Sequence, residues 1–120
     1  HVARALAALR SGGLLPEVRI VDALQNPAGE WIKAEPALPA GSVITPGTAA
    51  LVMEAMKREP GGYYAAGTSA LTGAGGRQLH WFGGATPEGQ PGVIVVVALE
   101  GGTLADAWRI GRGALLALGP

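Results

Sequence analysis

Val93-Ile94-Val95-Val96-Val97-Ala98-Leu99 is the longest apolar run in the chain. Its length suits a strand, and its β-branched side chains suit pleated backbone. With no polar residue alternating through it, the run predicts a strand covered on both faces and central in its sheet. Gly101-Gly102 breaks it. Thr103 then caps a helix over residues 104–118, with Leu104, Ala107, Trp108, Ile110, Gly111, Leu115 and Leu118 on its apolar side. Upstream, residues 86–92 read as a turn with two prolines, and residues 79–85, carrying His80, Trp81 and Phe82, as a second strand. Residues 72–77 read as a Gly-rich turn and residues 63–71 as a third strand, rich in Ala and Gly. Connections of about six residues join neighbouring strands only as antiparallel pairs.

The first half reads in shorter pieces. Residues 2–10 form a helix with Ala3, Leu6, Ala7 and Leu9 near one face, stopped by Ser11-Gly12-Gly13. Residues 14–24 place Val18, Ile20 and Val21 among Glu17, Arg19 and Asp22, a short strand put at an edge by Pro16. Asn26-Pro27-Ala28-Gly29 is a turn, and residues 30–44, with Pro36, Pro39 and Gly41, an irregular connector. Thr45-Pro46 opens a helix running from Gly47 to about Arg58, which Pro60-Gly61-Gly62 ends. The order predicts an α+β fold: an antiparallel sheet with N- and C-terminal helices packed on it, residues 1–120 forming a single domain.

Composition narrows the function. The 120 residues are 48% hydrophobic and 15% charged, and nine Lys+Arg balance nine Asp+Glu. Without a basic excess, nucleic acid is not an expected partner. High apolar content and low charge density argue against disorder. The absence of cysteine excludes disulfides, thiolate metal sites and a cysteine nucleophile. No run approaches the ~20 apolar residues of a membrane-spanning helix. The 20 glycines and nine prolines follow no period, which reads as loop-rich rather than collagenous. The chain enters a helical pattern directly at His1, so the reading expects a piece of a longer protein.

Individual side chains carry little chemistry of their own. As a general base His80 would need a nucleophile and an orienting partner. As a metal ligand it would need a second histidine or a carboxylate cluster at ligand spacing. It is therefore read as structural. Trp81 and Trp108 are expected to pack the sheet against the last helix, and Trp31, in a polar connector, to lie at the surface. Gly73-Ala74-Gly75-Gly76 joins two antiparallel strands and precedes no helix, so it reads as a hairpin turn rather than a phosphate cradle. Arg4, Arg10, Lys57, Arg58, Arg109 and Arg112 read as solvated, with Arg10, Lys57 and Arg58 favourably close to helix C-termini. No catalytic residue, metal site or cofactor is assigned.

Taken in order, several passages resemble the C-terminal part of the penicillin-binding protein transpeptidase domain. His80-Trp81-Phe82-Gly83-Gly84-Ala85-Thr86-Pro87 is similar to that family's (H/A)-W-F-x-G-(F/Y)-A-P strand. Residues 91–100, PGVIVVVALE, look like the buried strand that follows, and residues 101–118 like the closing glycines and C-terminal helix. Residues 1–15, HVARALAALRSGGLL, are similar to the family helix (M/L)-A-x-A-(Y/F)-A-x-(L/I)-A-N-G-G. Residues 44–56, ITPGTAALVMEAM, resemble (I/V)-S-x-x-T-A-x-x-(L/V)-x-x-(G/A)-(M/L). The likeness covers nearly the whole chain and rests on order and spacing together.

The resemblance implies a partial transpeptidase-like fold, and it implies what is missing. A serine transpeptidase uses Ser-x-x-Lys, Ser-x-Asn and Lys-Thr-Gly. Three residues after Ser11, Ser42 and Ser69 stand Leu14, Thr45 and Thr72; two residues after them stand Gly13, Ile44 and Leu71. In the family both serine motifs precede the stretch that begins here. The resemblance places the third motif about ten residues before Trp81. There the chain reads Ala65-Ala66-Gly67-Thr68-Ser69-Ala70-Leu71. Two registers stay open, one placing Ala65 at the lysine position and one placing Thr68 there. The nearest upstream lysine is Lys57, expected in the preceding helix, eight residues from Ala65. Loss of a charge aimed at a carboxylate costs about 1.5–3 kcal/mol of binding.

By resemblance, then, Ala65, Ala66, Gly67, Thr68 and Ser69 form a degenerate substrate-edge strand. In an intact parent it would line the place of the peptidoglycan stem peptide or of a β-lactam. The chain alone is not expected to be catalytic, and the parent is either a D,D-transpeptidase or a pseudoenzyme. The setting implied is extracytoplasmic, periplasmic or cell-surface, with a membrane anchor upstream. The alternative is a non-catalytic interaction module of the cell-wall or division machinery. A truncated sheet with an exposed edge and an apolar face also favours self-association.

Overall fold

The computed structural model describes residues 1–72, 75–87 and 92–118. In chain order the elements are α1 (Val2–Arg10), β1 (Leu14–Leu15), β2 (Ala23–Gln25), β3 (Trp31–Lys33), β4 (Gly41–Ser42), α2 (Pro46–Ala55), β5 (Lys57–Arg58), β6 (Tyr64–Thr72), β7 (Arg77–Ala85), β8 (Ile94–Glu100) and α3 (Leu104–Leu118). The fold is α+β. Its main sheet has the order β5-β6-β7-β8, every pair antiparallel. The β6–β7 register runs from Tyr64 opposite Ala85 to Thr72 opposite Arg77, and β8 continues it with Val97 opposite Phe82.

The two faces carry different helices. Side chains alternate along a strand, so Phe82 and Gly84 point to one face of β7 while Trp81 and Gly83 point to the other. A Cβ on Gly84 would come 2.5 Å from Leu115, and one on Gly83 would come 2.8 Å from Leu6. The first face therefore lies under α3 and the second under α1. The core sits on the α3 face, where Tyr63, Ala65, Phe82, Ala107 and Leu115 are buried and Val93, Val95, Val97, Leu99 and Trp108 pack around them. Phe82 meets Trp108 edge to face, with ring centroids 5.0 Å apart. Gly111 lets α3 approach: any Cβ there would run into the Phe82 ring. Trp81 does not pack against the last helix as expected, because it projects from the α1 face while Trp108 lies on the other.

The apolar run of residues 93–99 is not central. It forms β8 at the edge of the sheet, with β7 its partner. Both α1 and α3 contact β8. An unbroken apolar run reports that both faces are covered; it carries no information about lateral neighbours.

The second helix is shorter than expected. Thr45 caps it, accepting a hydrogen bond from the Thr48 amide at 3.2 Å. It stops at Ala55, and Met56 turns extended at φ −74° and ψ 145°. Lys57 and Arg58 then form β5 against β6 instead of a last helical turn. Pro60-Gly61-Gly62 is a hairpin turn, in which the Glu59 amide donates to the Tyr63 carbonyl at 3.0 Å and Gly61 and Gly62 take positive φ.

Residues 14–24 do not make one strand. Leu14–Leu15 pairs with Gly41–Ser42, Ala23–Gln25 pairs with Trp31–Lys33, and Val18 bridges to Leu38. The irregular connector thus supplies the missing partners. The turn between β2 and β3 falls as expected, with Asn26 Oδ1 accepting from the amides of Ala28 and Glu30, each at 2.9 Å. Arg4 holds this region to α1 by donating to the Pro16 carbonyl at 2.9 Å and to the Pro39 carbonyl. The radius of gyration is 17.0 Å, against roughly 14 Å for a compact chain of this length. Ile20 and Trp31 are 86% and 71% exposed.

Thr103 caps α3 as expected: its hydroxyl accepts from the Asp106 amide at 3.2 Å while Asp106 Oδ2 accepts from the Thr103 amide at 3.0 Å. The two hairpin turns expected in the main sheet lie partly outside the described residues, at 73–74 and 88–91. Gly75 and Gly76 form a turn, and on the other side Thr86 and Val93 close the strand ends by an amide–carbonyl bond of 3.1 Å.

Candidate functional site

The outer edge of β6 is covered only at its start. Lys57 stands opposite Ala65 and Arg58 opposite Tyr64. From Ala66 to Thr72 that edge has no strand partner among the described residues. Backbone groups along such an edge are available to another strand. The side chains beside it are small, and residues 66–71 are exposed.

All five expected site residues lie on this strand. Ala65, Gly67 and Ser69 face α3; Ala66 and Thr68 face α1. Their environments differ. Ala65 is fully buried in the core, across from Gly84 on one side and Lys57 on the other. Gly67 lies directly beneath Trp108, where a Cβ would come 2.5 Å from the indole nitrogen. Ala66 and Thr68 are exposed opposite Gly83 and Trp81. A lysine at position 65 would put its charge into the core, whereas one at position 68 would reach solvent. Of the two motif registers, the second leaves room for a cation that meets a ligand.

Ser69 has a partner that the sequence did not reveal. Its Oγ lies 2.7 Å from Nδ1 of His80, directly across the β6–β7 pair. His80 is 4% exposed, so this bond satisfies a buried ring nitrogen. A hydroxyl and an imidazole in contact act as nucleophile and base only with a third group to orient the ring. Among the described residues no carboxylate bonds to the imidazole, and the geometry serves to hold β6 on β7.

A second group of charges surrounds β5. Lys57 Nζ lies 2.7 Å from Glu59 Oε1 and 5.6 Å from the centre of the Trp108 ring. The Glu59 side chain is only 4% exposed while that of Lys57 is 71% exposed. Oε1 accepts no hydrogen bond of ordinary angle, so the Lys57 contact is an ion pair. Arg112 Nε donates to Tyr63 Oη at 3.0 Å and stands 3.9 Å from Glu59 Oε2. Lys57, Glu59, Trp108, Arg109 and Arg112 line an open groove between β5 and α3. Arg112 is thus a structural tie as well as a solvated charge. So is Arg10, which donates to the carbonyls of Thr86 and Pro87 at 2.7 and 2.8 Å. Among the described residues, no three histidines or carboxylates gather as a metal site.

Sequence reasoning put Lys57 in a helix and so missed its place on β5, opposite Ala65. The signal was present: Lys57-Arg58-Glu59-Pro60-Gly61-Gly62-Tyr63-Tyr64 flanks a Pro-Gly-Gly turn with β-compatible residues. The turn lies beyond the end of α2 at Ala55 and folds the chain back from β5 into β6. Comparison with protein-family models, with curated proteins and with solved structures finds no match.

Proposed function

We propose that this chain is the C-terminal subregion of a penicillin-binding-protein-like transpeptidase domain, contributing the sheet, its substrate-side edge and the helices that back it. The observation that supports this most is the free β6 edge. It falls on the residues where the family resemblance locates the substrate strand, and these pair directly with the strand that carries the His80–Ala85 passage. On this reading a D-alanyl-D-alanine stem peptide extends the sheet beyond β6, and a β-lactam occupies the same place in the parent. The parent works outside the cytoplasm, anchored to the membrane upstream. The chain by itself is scaffold: its sequence has no Ser-x-x-Lys or Ser-x-Asn, and no lysine on β6. Titration of the isotope-labelled chain with a D-alanyl-D-alanine pentapeptide tests the docking edge. Amide shifts concentrated on residues 66–72 are expected, and shifts confined to other elements would overturn the reading.

A second reading rests on the arm formed by residues 14–44. Ile20, Leu24, Trp31 and Ile32 are all more than half exposed there, more apolar surface than a small isolated domain ordinarily shows. On that reading the chain is a non-catalytic interaction module of the cell-wall or division machinery, self-association included. Light scattering at two concentrations discriminates: a mass that rises with concentration supports self-association, and a strictly monomeric mass opposes it.

A further inference from the structure

We propose that the β2–β3 hairpin is a docking platform for a basic amphipathic helix of a partner protein, seated on the face that carries Leu24 and Ile32. The inference rests on the interaction-module reading above and names the partner by its chemistry.

The hairpin is firmly built and buries little. Its ladder continues past the three paired residues. At the tip the Asn26 amide donates to the Glu30 carbonyl at 2.9 Å, and at the base the Ala34 amide donates to the Asp22 carbonyl at 3.0 Å. Gln25 Nε2 donates to the Gly29 carbonyl at 2.9 Å, and Arg19 Nη1 ties the base down through the Ala34 carbonyl at 2.6 Å. These bonds fix the backbone, yet the main packing contact of each strand is with the other. Leu24 and Ile32 stand directly opposite each other and are 61% and 56% exposed. A two-stranded hairpin is marginal by itself in water, and a helix packed on its apolar face completes such a layer.

Charge selects the partner. Opposed residues, and residues two apart on a strand, share a face. Asp22 and Glu30 therefore flank Leu24 and Ile32 at the base and the tip, while Lys33 stands on the other face with Trp31 and Gln25. Both carboxylates are exposed. Glu30 Oε2 accepts from Asn26 Nδ2 at 3.0 Å, and Arg19, the cation felt by Asp22, already donates to Glu17 Oε1 at 2.6 Å. Residues 14–44 carry four carboxylates and two cations, in a chain whose charges balance. An apolar pair bracketed by carboxylates complements a helix with apolar residues on one face and Lys or Arg beside them. The same charges disfavour the other occupants. Two copies joined face to face would bring carboxylates against carboxylates, and an anionic membrane surface would repel them.

The test uses the whole chain and a fluorescein-labelled peptide of about 14 residues, with Leu along one helical face and Lys on the other. Two control peptides replace every Lys by Glu, or shuffle the order so that the helical period is lost. Anisotropy should show the Lys peptide binding roughly tenfold more tightly than the Glu peptide, as two exposed pairs turn from attraction to repulsion. Amide shifts of the isotope-labelled chain should centre on residues 22–34. Asp22→Asn/Glu30→Gln keeps an acceptor for Asn26 and should erase most of the preference for Lys over Glu. Leu24→Ser/Ile32→Thr opens no core, so it should abolish binding with the circular dichroism spectrum unchanged. Equal binding of the Lys and Glu peptides, equal binding of the shuffled peptide, or binding that both variants leave intact overturns the basic-helix site. Failure to bind peptide with a mass that rises with concentration overturns it too, and leaves the interaction-module reading standing as self-association. No binding and a strictly monomeric mass overturn both. Binding to phosphatidylglycerol vesicles without binding to the peptide assigns the hairpin to a membrane and overturns the proposal.

Discussion

Ser69 Oγ and His80 Nδ1 meet at 2.7 Å across β6 and β7, joining an exposed strand residue to a nearly inaccessible ring. The serine stands on the proposed docking edge, so that edge is held in place by a polar bond as well as by the backbone ladder. Ser69→Ala leaves the buried ring nitrogen without its partner and should destabilise the chain by about 1–2 kcal/mol. Urea denaturation followed by circular dichroism measures this. Ser69→Thr, which keeps the hydroxyl, should recover most of the loss.

Two glycines of α3 should respond in opposite directions. Gly111 faces the Phe82 ring with no space for a Cβ, whereas Gly113 has nothing within 4 Å. Gly111→Ala should therefore cost about 1–3 kcal/mol through overpacking. Gly113→Ala should be neutral or stabilise by about 0.5–1 kcal/mol through helix propensity. Thermal melts of the two variants side by side give the comparison.

The hairpin that places Lys57 depends on backbone geometry. Gly62 has φ 83° and open space around its Cα, so a substitution there tests conformation without adding a clash. Gly62→Ala should cost about 1–2 kcal/mol for a left-handed non-glycine residue. It should leave α1 unchanged. Hydrogen exchange at the amides of residues 57–65 would report the loosened pairing.

Acid should loosen the start of α3. The Thr103 hydroxyl, then the Thr103 amide and the Arg109 guanidinium, hold the Asp106 carboxyl below its ordinary value. A depressed carboxylate stabilises the folded chain fully above its unfolded pKa of about 3.9 and loses that contribution as pH falls through the lower folded value. Asp106→Asn removes the titration. The stability gap between the unaltered chain and this variant should be widest near neutrality and close as pH falls below about 4, as followed by thermal melts across that range.

What was legible in the sequence was local. The bounds of α1 and α3 follow from breakers and caps that sit beside them, Ser11-Gly12-Gly13 and Thr103. The three long strands follow from composition and from the turns between them. β5 escaped because a two-residue strand is defined by its partner, and Ala65 does not announce Lys57. The small pairs of residues 14–42 escaped for the same reason. The position of residues 93–99 was misread because hydrophobicity records the helices above and below, not the strands alongside. Within the site, the five strand residues were legible as a contiguous segment. The burial of Ala65, the groove cations and the Ser69–His80 bond needed the fold.

On the proposed reading this polypeptide offers a docking edge and no reacting nucleophile. Intact-mass spectrometry of the chain after prolonged incubation with a fluorescent penicillin decides between the two outcomes. An unchanged mass and no fluorescent band after denaturation are expected. A stable adduct of one penicilloyl group on a serine, Ser69 above all, would contradict it.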